Sequence, residues 1–247
     1  MNIPYIPETL LEIGDYKLHS FKDDILIIDN WYKNYNEMYE VVTNIPLPRW
    51  KWKEDSRNFI DYYDCRPVLN MNYNAFEALN KYYNQVGNLV SQYFSEENAL
   101  EVKGQPLEFN FYKTINKDVP NKLQHHPHAD FNYNCIIYLD KVSSGGTAIY
   151  KNIKQLANKE MENLLLDVSN YDKVVIPSKP NRLVIFSGEV YHGGYINNHN
   201  DYIDNWRMNQ VFFFRRKEEE LYESNYIHII HFHRNRICMF LMVIHIL

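Results

Sequence analysis

From about residue 105 onward the chain is a succession of short β-forming segments punctuated by turn residues, and this constrains the fold more than anything else in it. LEFNFYKTI (107–115), NCIIYLD (134–140), TAIY (147–150), DKVVIP (172–177), RLVIFSG (182–188) and MNQVFFF (208–214) are each rich in β-branched and aromatic residues and bounded by Gly, Pro, Asn, Asp or Ser. Short strands at this spacing predict an antiparallel sandwich or barrel. KQLANKEMENLLLDV (154–168) interrupts them with helical periodicity.

The first hundred residues differ. DILII (24–28) reads as a buried strand, and WYKNYNEMYEVVTNI (31–45) as an amphipathic helix. NYNAFEALNKYYNQVGNLVSQYF (72–94) has the strongest helical periodicity in the chain, with apolar residues three and four apart. Residues 46–70, with their prolines and charges, read as irregular. The expected fold class is therefore mainly β with helices (α+β). One domain spans 1–216, with a helical N-terminal part to about 100 and a β core at about 105–216. Residues 217–247 form a tail that begins within the charge run RRKEEE (215–220) and does not resemble the rest.

Composition narrows the function. A net charge of −5 argues against a broad phosphate-gripping surface, so no nucleic-acid partner is expected. Cys65, Cys135 and Cys238 are odd in number, widely spaced and form no CxxC pair, which suggests a reducing compartment. No apolar run is long enough for a bilayer span and the N-terminus has no secretory pattern, so a cytoplasmic protein is expected. The 21 tyrosines accompany abundant Asn, Ile and Lys and are read as a coding bias.

The chemistry is concentrated in HHPHADFN (125–132) and EVYHGGY (189–195). On an extended backbone, residues two apart face the same side, so His128 and Asp130 can face one metal ion. His192 follows the strand-like RLVIFSG and supplies a second imidazole. Two imidazoles and one carboxylate on one face of iron(II) leave three positions open, enough for a chelating 2-oxo acid and dioxygen. A zinc hydrolase with the same ligands would need an added water-activating base. Arg207 opens an apolar strand, where a buried guanidinium needs an anionic partner. That partner is either the distal carboxylate of 2-oxoglutarate or a protein acid such as Asp204. His125 and His126 lack an acid two residues on and are read as loop or second-layer residues, with His126 the better placed to face a substrate. Gly145, Gly146, Gly193 and Gly194 are read as turn residues. His228, His231 and His233 lie in the tail with no acid beside them and are not read as a metal site.

The order FNFYKTI, HHPHADFN, CIIYLDKVSSGGTAIY, RLVIFSGEVYHGG, WRMNQVFFF resembles the iron(II)/2-oxoglutarate dioxygenases of the prolyl-hydroxylase type. The resemblance implies a double-stranded β-helix (jelly-roll) core with the N-terminal helices packed on it. It implies His128, Asp130 and His192 as metal ligands and Arg207 on the 2-oxoglutarate tail. Tyr138 would place its hydroxyl on the same carboxylate, and Tyr112 would lie near the other end of the co-substrate. The implied activity is hydroxylation with Fe(II), 2-oxoglutarate and O2, on a small-molecule or peptidyl substrate. A carboxylate at Asp130 argues against a halogenase, which needs that position vacant. Two rival readings use the same strands: a non-catalytic jelly-roll module of structural, binding or viral type, and a cupin-like metal enzyme that does not use 2-oxoglutarate.

Overall fold

The computed structural model describes residues 7–45, 51–54, 60–65, 73–97, 100–130, 132–141, 144–151 and 165–216. Thirteen strands and two α-helices form its framework. β1 (Lys17–Lys22) and β2 (Ile25–Asp29) precede α1 (Tyr35–Thr43), and β3 (Lys51–Glu54) and β4 (Ile60–Cys65) precede α2 (Tyr73–Phe94). The remainder is β5 (Leu100–Thr114), β6 (Leu123–His125), β7 (Tyr133–Tyr138), β8 (Gly145–Tyr150), β9 (Leu165–Asp167), β10 (Lys173–Pro177), β11 (Arg182–Ser187), β12 (His192–Ile196) and β13 (Arg207–Arg216).

Eight strands form one antiparallel sheet in the order β1-β2-β11-β7-β13-β5-β4-β3, and β10-β8-β12 form a second. The short β6-β9 pair extends the second sheet, because the Gln124 side chain stands in for a ladder rung. Its Nε2 donates to the Ile196 carbonyl at 2.7 Å and its Oε1 accepts from the Ile196 amide at 2.6 Å. The two sheets enclose the interior of a double-stranded β-helix.

Alternation along the central strands sorts the core into two layers. On β7, Tyr133, Cys135 and Ile137 join the helix-covered layer with Val86, Val90 and Phe212, whereas Ile136 and Tyr138 join the barrel interior with Val184, Phe186 and Ile149. α2 buries Leu79, Tyr82, Tyr83, Val86 and Val90, the three-and-four spacing expected of a helix lying on a sheet. Its polar contacts with that layer are organised: Tyr82 Oη accepts from Trp31 Nε1 at 3.0 Å and from Tyr32 Oη at 3.1 Å, and Tyr83 Oη accepts from the Leu107 amide at 2.9 Å.

The structure departs from the sequence reading in several places. The N-terminal hundred residues carry four strands besides their helices, and two of these, β3 and β4, fall in the stretch read as irregular. β3 and β4 pair antiparallel and β4 pairs with β5, so the main sheet supplies the partner that local pattern could not reveal. At the end of the expected 154–168 helix, Leu165–Asp167 is strand β9, fixed by its pairing with β6. Residues 154–164, the tail 217–247 and its histidines lie outside the described residues. Among the described residues, no helix is long and apolar enough to cross a membrane.

Candidate metal centre

His128 and His192 face each other because their backbones form an isolated antiparallel bridge. His128 N donates to the His192 carbonyl at 2.9 Å and His192 N donates to the His128 carbonyl at 2.8 Å. Opposed residues of such a pair project to the same side of the sheet, and the two imidazole centroids lie 4.5 Å apart. Asp130, two residues on, is anchored by its amide to the Gly188 carbonyl at 2.7 Å, which ties the loop to the end of β11.

The tautomers are fixed from behind. His192 Nδ1 lies 2.8 Å from the Val190 carbonyl oxygen and His128 Nδ1 lies 3.2 Å from the His126 carbonyl oxygen. A carbonyl only accepts, so both Nδ1 atoms carry the proton and both Nε2 lone pairs face Asp130. Asp130 Oδ2 is 3.3 Å from His192 Nε2 and 3.8 Å from His128 Nε2. One ligand atom from each of the three residues lies within 4.8 Å of the others. Burial opposes ionisation of Asp130, but its contacts with His192, the nearby His128 and Asn134 outweigh it and hold the carboxyl below its ordinary value. Two neutral imidazole nitrogens and one ionised carboxylate oxygen, on one face, suit a divalent iron.

Arg207 lies inside the same barrel. Its Nη2 donates to the Gly146 carbonyl at 2.7 Å, while its buried Nε has no hydrogen-bond partner. Among the described residues no carboxylate forms an ion pair with it, Asp204 included. The acid with electrostatic influence on it is Asp140, which burial raises to about 6 while Arg207 and Tyr202 pull it down. Tyr138 is buried with its hydroxyl 2.7 Å from Thr147 Oγ1. Tyr112 stands opposite Arg207 in the β5–β13 register, with its hydroxyl 2.9 Å from His199 Nδ1. That places it at the arginine end of the interior, not the metal end.

The glycine pairs are strand residues of β8 and β12, not turn residues, and none of the four has a left-handed backbone. Space explains three of them, Gly145 because a Cβ there would lie 2.9 Å from the Tyr195 carbonyl oxygen. A Cβ on Gly146 would run into the Ile176 carbonyl, and one on Gly194 would lie 3.3 Å from the His125 ring and 3.9 Å from Arg207 Nη1. Gly194 therefore leaves room for two polar side chains, His125 and Arg207. Burial, with Arg207, His128 and His199 adding to it, holds the His125 imidazole neutral with a pKa of about 3. Sequence reasoning read His125 as a loop or second-layer residue and passed over Asn134, whose Nδ2 reaches both Asp130 Oδ2 at 3.1 Å and His192 Nε2 at 2.7 Å. The available signal was parity: Asn134 shares the inward face of β7 with Tyr138.

No family model and no curated protein matches the sequence. Solved structures do match. The epimerase SnoN, in complex with Fe3+, alpha ketoglutarate and nogalamycin RO, superposes with a TM-score of 0.52 at 12% identity over 78% of this chain and 79% of that one. The fold is that of SnoN. HygX from Streptomyces hygroscopicus, with nickel, 2-oxoglutarate and hygromycin B bound, gives 0.49 at 13% identity over 78% and 83% of the two chains. A prolyl-4-hydroxylase from Pseudomonas putida gives 0.43 at 11% identity over 85% and 98%.

Proposed function

We propose that this protein is an iron(II)- and 2-oxoglutarate-dependent oxygenase that hydroxylates a small-molecule or peptidyl substrate. The observation that carries the reading is the convergence of His128 Nε2, His192 Nε2 and one Asp130 oxygen, with both Nδ1 protons committed to backbone carbonyls. Bound iron would supply the activation of dioxygen, coupled to decarboxylation of the 2-oxo acid to succinate.

The chain's own groups do the rest. His128, Asp130 and His192 would hold the ion from one side and leave the other side exchangeable. Arg207 is a buried cation with an unused Nε and no carboxylate ion pair, so an anion in the barrel would meet a charged donor. The distal carboxylate of 2-oxoglutarate fits that requirement with a charge-assisted hydrogen bond. Tyr138 and Thr147, bonded to each other, would offer hydroxyl groups on the same side. The apolar interior of Ile136, Ile149, Val184 and Phe186 keeps that region dry. SnoN, which has this fold, was crystallised with Fe3+ and alpha ketoglutarate, which agrees with this reading.

The test is anaerobic addition of iron(II) and 2-oxoglutarate to the purified chain. A visible charge-transfer band in the wild type, lost in Asp130→Ala, is expected. Its absence in wild-type protein that does bind iron would favour a metal enzyme that does not use 2-oxoglutarate. Absence of iron binding would leave a non-catalytic jelly roll.

A further inference from the structure

We infer that Asp140 competes with the distal carboxylate of the co-substrate for Arg207, so that binding of 2-oxoglutarate is coupled to uptake of a proton by Asp140. The inference rests on the co-substrate site proposed above and makes the acid beside Arg207 part of it.

Asp140 follows the end of β7. The amides of Leu139 and Asp140 donate to the Met208 carbonyl at 3.0 and 3.3 Å, which holds the acid against the start of β13. Asp140 is 1% exposed and Arg207 7%, so acid and base share an interior with almost no access to solvent. Asp140 Oδ2 accepts from Tyr202 Oη at 3.1 Å, whereas Oδ1 is buried with no hydrogen-bond partner. Arg207 Nε is likewise buried without one. Gly145 lets the phenol and the guanidinium approach each other: a Cβ there would stand 3.0 Å from Tyr202 Oη and 3.3 Å from Arg207 Nε.

One cation therefore serves two anions, the acid and the incoming tail. The other groups around Asp140 supply no second positive charge. Tyr35 of α1 donates to the Leu139 carbonyl at 2.7 Å, and it, Tyr138 of β7 and Tyr202 of the 3-10 helix His199–Tyr202 are phenols that burial keeps from ionising. Burial likewise holds the imidazoles of His125 and His199 neutral. Lys141 lies over the Tyr39 ring at 4.3 Å, and Lys179 and Arg182 are bound to Asp29. While Arg207 has no ligand, its charge offsets part of the cost of ionising Asp140, which titrates at about 6. A carboxylate docked on the guanidinium withdraws that compensation and brings a like charge close, and both effects raise the acid further. The sign follows by linkage. The co-substrate binds fully where Asp140 is already protonated, and more weakly as pH rises, because each binding event must then take up a proton. Both carboxyls of 2-oxoglutarate stay ionised over that range.

The test is calorimetric titration of the full chain, saturated with cobalt(II), with 2-oxoglutarate between about pH 5.5 and pH 8. Wild-type affinity is expected to fall about tenfold across the range, and heats measured in buffers of different ionisation enthalpy to show net proton uptake near neutral pH. Asp140→Asn is expected to keep the low-pH affinity throughout and to lose that uptake. An Asp140→Asn protein with the wild-type pH profile and proton uptake would overturn the inference, as would a wild-type affinity that does not change with pH. If that variant does not fold, Tyr202→Phe decides. The Tyr202 hydrogen bond favours ionised Asp140, so its loss should move the fall in affinity to higher pH, and an unmoved profile would overturn the inference. Failure of the cobalt-loaded wild type to bind 2-oxoglutarate at any pH would instead remove the proposed function on which the coupling rests.

Discussion

Arg207 and Asp140 show how a single side chain's surroundings set what it can do. Arg207 is 7% exposed and has one hydrogen bond to a carbonyl, so most of its charge is available to a ligand. Replacing it with alanine should weaken 2-oxoglutarate binding by about ten- to a hundredfold, the worth of a charge-assisted bond in a dry site. Iron affinity should stay nearly unchanged, because no metal-facing atom moves. Equilibrium dialysis with each ligand separates the two, and an unchanged co-substrate affinity would show that the guanidinium serves the fold. Asp140 makes the opposite case. Burial raises its pKa to about 6, so its ionised form weakens the native state. The sign is that of a raised carboxyl: the cost is absent below the unfolded value near 4, grows as pH rises, and is complete above about 6. Asp140→Asn keeps an acceptor for the Tyr202 hydroxyl and should stabilise the protein at pH 8 by at most about 3 kcal/mol. The advantage should vanish below pH 4, which denaturant melts at the two pH values will test.

At the scale of elements, the ion-pair cluster around Asp29 fastens β2 to β11. Arg182 Nε and Nη2 donate to Asp29 at 2.7 and 3.2 Å, and Lys179 Nζ lies 2.8 Å away. Burial works against Asp29 ionisation, yet the Arg182 and Lys179 contacts prevail and bring it down to about 2. A depressed carboxyl stabilises the fold above its unfolded pKa and loses that contribution as pH falls through the folded one. Asp29→Asn should therefore cost on the order of 2 kcal/mol at pH 7 and nothing near pH 1, with acid melts as the readout. This cluster also marks what the sequence could and could not disclose. The strands β7, β11 and β13 were legible because each is a run of β-formers that a central position buries on both faces. β3 and β4 were not, because their pairing with β5 comes from distant residues. β12 was hidden by its glycines, which read as a turn until the facing His125 and Arg207 explain them. His128, Asp130 and His192, which the fold brings together, could be singled out from the ordered set of motifs, whereas Asn134 needed the barrel to turn it inward.

For the whole molecule, the proposed centre joins two parts of the chain that are far apart in sequence, the loop after β6 and the start of β12. In the unfolded chain these groups are dispersed, so the native state alone presents the set. Any ligand that bonds all of them must then stabilise the entire fold by linkage. At a concentration a hundred times its dissociation constant, a metal ion should add about 2.7 kcal/mol, visible as a rise in melting temperature. Iron(II) under anaerobic conditions, or cobalt(II) in air, should give this shift in the wild type. Adding 2-oxoglutarate should raise it further only when metal is present, because the co-substrate would bridge the ion and Arg207. Asp130→Ala should abolish both increments and Arg207→Ala only the second. A chain that melts at the same temperature with and without metal would not contain a preformed centre. Stabilisation by 2-oxoglutarate without metal would instead mean that Arg207 binds it by the tail alone, away from the histidines.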